Sequence, residues 1–141
     1  MVVADGVGGA AGGEVASRLA IQTLFNLVIS VPDWILRPDD ELVGEIMRRA
    51  GERYLQINTV LAEEAKADPE LRHMATTMTV AWSLGSNLYV AHIGDSRAYL
   101  FHAGELQQLT RDHTLAQALA DRGEITPEQV ARNRLRHVLI Q

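Results

Sequence analysis

At 141 residues, 47% hydrophobic and 22% charged, the chain is one ordinary globular domain or part of one, long enough for a real core. Its 13 Lys and Arg against 18 Asp and Glu give a net charge of −5, and without a basic run this argues against nucleic acid or an anionic membrane as partner. Cysteine is absent, which removes any disulfide framework or thiolate metal site and suits a reducing compartment, with cytoplasm the expected location. No apolar stretch reaches the roughly 20 residues that span a bilayer. The start lacks the positive segment of a signal peptide and carries Asp5 instead.

Val2-Val3 reads as a buried strand that runs into Ala4-Asp5-Gly6-Val7-Gly8-Gly9. A carboxylate in an apolar setting must be paired or metal-bound to stay ionised. Glycines let the backbone turn and let a ligand approach the main chain, and Asp oxygen is the hard donor that Mg²⁺ and Mn²⁺ prefer. From Glu14 to about Ile29, Val15, Leu19, Leu24, Leu27 and Val28 recur at helical spacing, and Pro32 ends that helix. A second helix opens in Asp39-Asp40-Glu41, where negative charge suits the helix dipole. Its apolar face is Val43, Ile46, Met47, Ala50, Tyr54, Ile57, Leu61 and Ala65, and Asp68-Pro69 stops it.

The pattern then changes to period two. Thr76 to Leu84 alternates as one strand, with Met78, Val80, Trp82 and Leu84 on one face, and Gly85-Ser86-Asn87 turns. Leu88 to Ile93 is apolar on both faces, as in a strand buried between layers. Ser96 to His102 continues as strand and pairs through Ala103-Gly104 with Glu105 to Leu109. Two helix starts follow, Thr114 with Gln117 and Thr126 with Pro127 and Gln129, and Gly123 sits where a helix-ending glycine belongs. Helices, then consecutive strands, then helices point to an α+β layered fold with antiparallel sheet. The chain begins in a strand and stops inside the apolar Val138-Leu139-Ile140-Gln141, so it is read as incomplete at both ends.

A second Gly-Asp, at Gly94-Asp95, interrupts an otherwise good strand. Read alone it is equally a bulge with an Asp95–Arg97 surface pair. With the other motifs it resembles the metal-dependent Ser/Thr protein phosphatases of type 2C, in their bacterial form. The stretches that carry the resemblance are Val3 to Gly9, Met74-Ala75-Thr76-Thr77-Met78-Thr79, Ala91 to Tyr99, Leu109-Thr110-Arg111-Asp112-His113-Thr114 and Arg136-His137-Val138-Leu139. The resemblance implies a sandwich of antiparallel sheets flanked by helices, with residues 1–141 a partial catalytic domain. It implies a binuclear Mn²⁺ or Mg²⁺ centre with a third, weaker ion, and hydrolysis of phosphoserine or phosphothreonine by metal-activated water.

By the same resemblance Asp5 bridges two metals, the Gly6 carbonyl ligates one of them, and Asp95 serves the third. The implied partners are a phosphorylated protein substrate and a Ser/Thr kinase of the same pathway. Val7 stands where some members place a histidine, and the family's remaining aspartates and its phosphate-binding arginine fall outside residues 1–141, so the chain alone is expected to be inactive.

Two other readings stay open. One is a phosphatase-like interaction domain without catalysis. The other is a nucleotide-binding module, since Gly6-Val7-Gly8-Gly9-Ala10-Ala11 follows a strand and precedes a helix. That module needs a second strand about 20 residues on, and Ile29-Ser30-Val31-Pro32-Asp33 makes a poor one. His73, His92, His102 and His137 lack metal-ligand spacing, and Arg132, Arg134 and Arg136 read as a solvated helix face.

Overall fold

The computed structural model describes residues 1–30 and 40–140. The readings that rest on Pro32, on Asp39, on Val31-Pro32-Asp33 and on Gln141 lie outside the described residues. The chain forms two compact units, Met1–Ala91 and His92–Gln141.

In the first unit, strands β1 (Val2–Val3) and β2 (Gly6–Val7) precede helix α1 (Gly9–Ser30). Helix α2 (Asp40–Ala67) leads through a 3-10 turn (Pro69–Leu71) to strands β3 (Ala75–Thr76), β4 (Met78–Leu84) and β5 (Asn87–Ile93). One sheet has the order β1-β4-β5, and β2 pairs with β3 in a second. Both inter-strand pairings that involve β1 and β2 are antiparallel, as the α+β reading requires.

Helix α1 starts five residues before the expected Glu14, because glycines Gly12 and Gly13 are tolerated in its first turns where they are buried against neighbouring backbone. Its buried face meets the expected Val15–Val28 stripe only at Leu24. Ala16 and Ala20 are buried beside it, while Val28 is exposed. Small residues let the helix approach β2, β3 and α2 closely, and a search for large apolar side chains overlooks such a face. Helix α2 follows its expected stripe in part: Ile46 and Ile57 are buried, whereas Val43 and Met47 are exposed. Ile46 packs with Tyr89, Trp82 and Leu84. The Asp68 carboxylate accepts from the Glu70 amide at 2.9 Å and ends α2 where Asp68-Pro69 was read to end it.

Two strand readings need correction. The expected single strand Thr76–Leu84 is broken at Thr77 into β3 and β4, for a reason that belongs to the site below. Strand β5 is not covered on both faces: Tyr89 and Ala91 are buried, but Leu88 is exposed.

In the second unit, β6 (Tyr99–His102) and β7 (Glu105–Gln108) form the expected hairpin. Ala103 and Gly104 both take positive φ, 51° and 85°, as a two-residue turn matched to strand twist demands. Strand β6 starts at Tyr99 rather than Ser96, since Gly94 to Ala98 is held by other contacts. Helix α3 (Leu115–Asp121) has Thr114 as its cap, with Thr114 Oγ1 accepting from the Gln117 amide at 3.3 Å, a contact of about 1 kcal/mol. The Gln117 side chain does not close the box; it donates to Asp121 at 2.8 Å. Gly123 has φ of 74°, and the Gly123 and Glu124 amides donate to Ala120 and Leu119 carbonyls, a Schellman ending. Helix α4 (Pro127–Val130) is one turn, with Gln129 Oε1 accepting from the Thr126 amide at 2.7 Å. Arg132, Arg134 and Arg136 are exposed but lie beyond that helix rather than on its face.

Candidate metal centre

Asp5 lies between β1 and β2, where one antiparallel ladder passes from the first sheet to the second. Val2 and Val3 stand opposite Val80 and Thr79, and Gly6 and Val7 opposite Thr76 and Ala75. The register is in phase on both sides, so Asp5 faces Thr77 with no residue inserted. A regular ladder would exchange two backbone bonds at that pair. Only one is made: the Thr77 amide donates to the Asp5 carbonyl at 2.9 Å. The Asp5 amide instead donates to the Thr77 hydroxyl at 3.0 Å. The Thr76 hydroxyl lies 3.1 Å from the Asp5 carbonyl oxygen and 2.9 Å from that of Thr77, which holds the Thr77 carbonyl away from the ladder. Thr77 is 1% exposed.

The sequence argument placed Asp5 in an apolar setting, and the structure corrects it. Asp5 is solvent-exposed, because β1 is a two-residue edge strand. Its carboxylate has no hydrogen-bond or ion-pair partner among the described residues. The reason to look for a metal there is therefore an unpartnered carboxylate on a fixed backbone, not a buried charge.

The glycines after Asp5 hold elements together. A Cβ on Gly6 would lie 1.8 Å from the Gly13 carbonyl oxygen, and a Cβ on Gly13 would lie 2.7 Å from that of Gly6. Helix α1 thus crosses β2 in direct backbone contact. Gly8, at φ of 120°, would place a Cβ 2.5 Å from the His73 carbonyl oxygen. Gly9 meets nothing within 4 Å.

The Gly94-Asp95 turn is built differently. Gly94 has φ of 103°, and its amide donates to His113 Nδ1 at 3.2 Å. The His113 amide returns a bond to the Gly94 carbonyl at 2.8 Å. His113 stacks on His92 with ring centroids 5.0 Å apart, and His92 Nε2 donates to the Arg111 carbonyl at 3.2 Å. Burial, then the neighbouring His113, pushes His92 below its usual pKa. The Asp95–Arg97 surface pair, one of the two readings of this stretch, does not form. Arg97 makes a bidentate pair with Asp112, at 2.8 and 2.7 Å, which holds the guanidinium firmly charged. Asp95 is left facing His137 Nδ1 at 3.9 Å.

Asp5 and Asp95 therefore sit on separate units. Asp5 and Gly6 are adjacent on one fixed turn, and their oxygens are hard donors that fit Mg²⁺ or Mn²⁺. Among the described residues no three His, Cys, Asp or Glu come together as a metal cage, so this pair by itself does not make one. The apolar cavity of about 370 Å³ in the first unit, lined by residues such as Leu24, Phe25, Tyr54 and Trp82, carries no carboxylate and is not the metal site. Sequence reasoning missed Thr76 and Thr77 as the residues that hold Asp5; two adjacent hydroxyls interrupting an apolar strand were the available signal.

The sequence model of the family described as Protein phosphatase 2C matches residues 1–133. The Ser/Thr protein phosphatase PstP of Mycobacterium tuberculosis is 40% identical over 129 residues, 92% of this chain and 23% of that protein. The protein phosphatase PhpP of Streptococcus pneumoniae is 32% identical over all of this chain and 54% of its own length. The crystal structure of the M. tuberculosis phosphatase superposes with a TM-score of 0.78 at 38% identity, covering 99% of this chain and 55% of that one. A second structure, the PstP catalytic domain with two manganese ions, gives 0.68 at 39% identity, covering 91% and 51%. The chain thus spans about half the length of these solved structures. With one family model covering nearly its whole length, the chain belongs to the protein phosphatase 2C family.

Proposed function

We propose that residues 1–141 are a partial catalytic domain of a metal-dependent phosphatase that hydrolyses phosphoserine and phosphothreonine in proteins. The observation that carries this reading is the Asp5-Gly6 turn, an exposed, unpartnered carboxylate on a backbone tied to Thr77. In this reading Asp5 holds metal through its carboxylate, Gly6 through its carbonyl, and Asp95 holds a third, weaker ion. A bound pair of Mn²⁺ or Mg²⁺ ions supplies Lewis acidity and a water of lowered pKa. The chain's own residues orient: Thr77 and Thr76 fix the Asp5 main chain, and Gly6 against Gly13 fixes the turn on α1. The substrate is a phosphorylated protein, the counterpart is a Ser/Thr kinase of the same pathway, and the location is the cytoplasm. Among the described residues no helix is long and apolar enough to cross a membrane.

The test compares residues 1–141 with a chain extended at both ends to the length of its relatives, on one phosphothreonine peptide in saturating Mn²⁺. Little turnover is expected from residues 1–141 and full turnover from the longer chain. Asp5→Asn in the longer chain should abolish it, and Asp95→Asn should change its metal dependence more mildly. Full activity in Asp5→Asn would sink the assignment. The absence of a three-residue metal cage among the described residues favours one second reading, an interaction domain without catalysis, which predicts no turnover from either chain. The nucleotide-binding reading is weakened because β2 pairs antiparallel with β3 and Ile29-Ser30 is still helix α1. It predicts saturable NAD or ATP binding that is lost in Gly8→Val.

A further inference from the structure

We infer that Thr77 is a positioning residue for the metal site, acting by keeping the ladder open at Asp5; this rests on the metal reading above. Three observations carry it. First, the register is in phase across the break, Val3 opposite Thr79 and Gly6 opposite Thr76, so the break is no insertion. Second, the group that replaces the Thr77 carbonyl as acceptor for the Asp5 amide is the Thr77 hydroxyl, at 3.0 Å. Third, the displaced Thr77 carbonyl lies 2.9 Å from the Thr76 hydroxyl, which removes the drive to swing back. One side chain thus converts what would be a continuous strand from Val2 to Val7 into two short ones.

The consequence falls on the candidate ligand Asp5. A strand alternates its side chains strictly, and its carbonyls alternate as well. Where the ladder opens, the Ala4–Asp5 peptide is released from that alternation, while the Asp5 carbonyl stays bonded to the Thr77 amide. The direction of the Asp5 carboxylate is then set by the Thr77 hydroxyl, while Gly6 is held by its pairing with Thr76 and its contact with Gly13. Such supports of a ligand change metal affinity by about tenfold to a hundredfold when removed.

Thr77→Val separates positioning from stability. Valine keeps the shape and β-branching of threonine and suits a strand, but it offers no acceptor. With the register already in phase, a turn of the Thr77 peptide lets the Asp5 amide find the main-chain carbonyl, and the ladder closes. The fold should survive and the site should not. Thr77→Ser keeps the hydroxyl and should rescue.

The experiment measures Mn²⁺ affinity of the whole 141-residue chain by electron paramagnetic resonance, alongside thermal melts. Thr77→Val should bind Mn²⁺ about tenfold more weakly or worse, with a melting temperature at or above that of the parent, and Thr77→Ser should stay near the parent in both. Thr76→Val, which frees the Thr77 carbonyl but leaves the hydroxyl acceptor, should give a smaller loss. Asp5→Asn is the reference: if it loses Mn²⁺ while Thr77→Val binds as the parent does, the positioning role is overturned and the metal reading stands. If Asp5→Asn binds Mn²⁺ unchanged, both fall. A Thr77→Val chain that loses its fold together with its metal also overturns the inference, since the hydroxyl would then be merely structural.

Discussion

At the Asp5 turn the backbone is held by groups that do not titrate: the Thr77 hydroxyl, the Thr77 amide, and the bare contact of Gly6 with Gly13. At the Gly94-Asp95 turn the Gly94 amide is held by an imidazole, His113, which is stacked on a second imidazole and stands next to an ion pair between Arg97 and Asp112. The two turns share the Gly and Asp residue types in opposite order, and both interrupt extended chain. They differ in what would have to change to undo them. The first fails when space or an acceptor is removed, the second when charge changes.

The largest effect is expected from filling the space at the first turn. In Gly6→Ala the new methyl would sit 1.8 Å from the Gly13 carbonyl oxygen, which is main chain and cannot swing aside. Overpacking of this kind costs about 3 kcal/mol or more. Urea unfolding followed by tryptophan fluorescence should show the loss. Gly51, inside α2, is the control, because a Cβ there meets nothing within 4 Å. Gly51→Ala should gain up to about 1 kcal/mol. Equal stability of Gly6→Ala and its parent would mean that α1 and β2 do not cross in contact.

At the second turn the corresponding change is electrostatic. Arg97→Leu strips the partner from Asp112, whose side chain is 9% exposed. A buried carboxylate left without its donors costs about 1–3 kcal/mol, and the 44% exposure of Arg97 argues for the lower end through solvent screening. Asp112→Asn, which leaves a neutral group that still hydrogen-bonds, should cost less. Thermal melts of the two variants rank them. If Asp112→Asn proves the worse, the pair does not hold this loop.

The same contrast explains which parts were legible in the sequence. Helix α2, the hairpin at Ala103-Gly104 and the Thr114 cap were readable because local spacing alone specifies them. The buried face of α1 was not, since alanine and glycine carry no hydrophobic signal and their value lies in what comes close to them. Asp5 and Gly6 were readable as a candidate site from the glycine run, but for a wrong reason, burial. The two adjacent hydroxyls at Thr76 and Thr77 marked a place, but not a role, because the contact of Thr77 is with a residue 72 positions away. One reading of the Gly94-Asp95 break paired Arg97 with the nearest acid in sequence, Asp95, whereas its bidentate partner lies 15 positions on. Folding chooses partners by geometry, and a sequence shows only separation.

The smallest expected effect is a slope with pH, confined to the second turn. His92 donates from Nε2 to the Arg111 carbonyl and faces His113, with Asp112 adding a weaker opposing attraction. Burial and His113 depress its pKa below the ordinary 6.5. In the unfolded chain His92 takes up a proton once pH falls below that ordinary value, while the folded chain resists it. The contribution to stability is thus fully present above about pH 6.5 and is lost as pH falls below it. His92 stacks on His113, whose Nδ1 accepts from the Gly94 amide, so a charge taken up by His92 is felt at that turn. Amide hydrogen exchange, corrected for intrinsic rates, reads both turns in one sample. From about pH 7.5 to about pH 5.5 the Gly94 amide should lose protection, while the Asp5 amide, bonded to a hydroxyl, should keep it. His92→Gln should flatten the unfolding free energy across that window. Equal loss of protection at Asp5 and Gly94 would show that the two turns do not differ in the way their hydrogen bonds suggest.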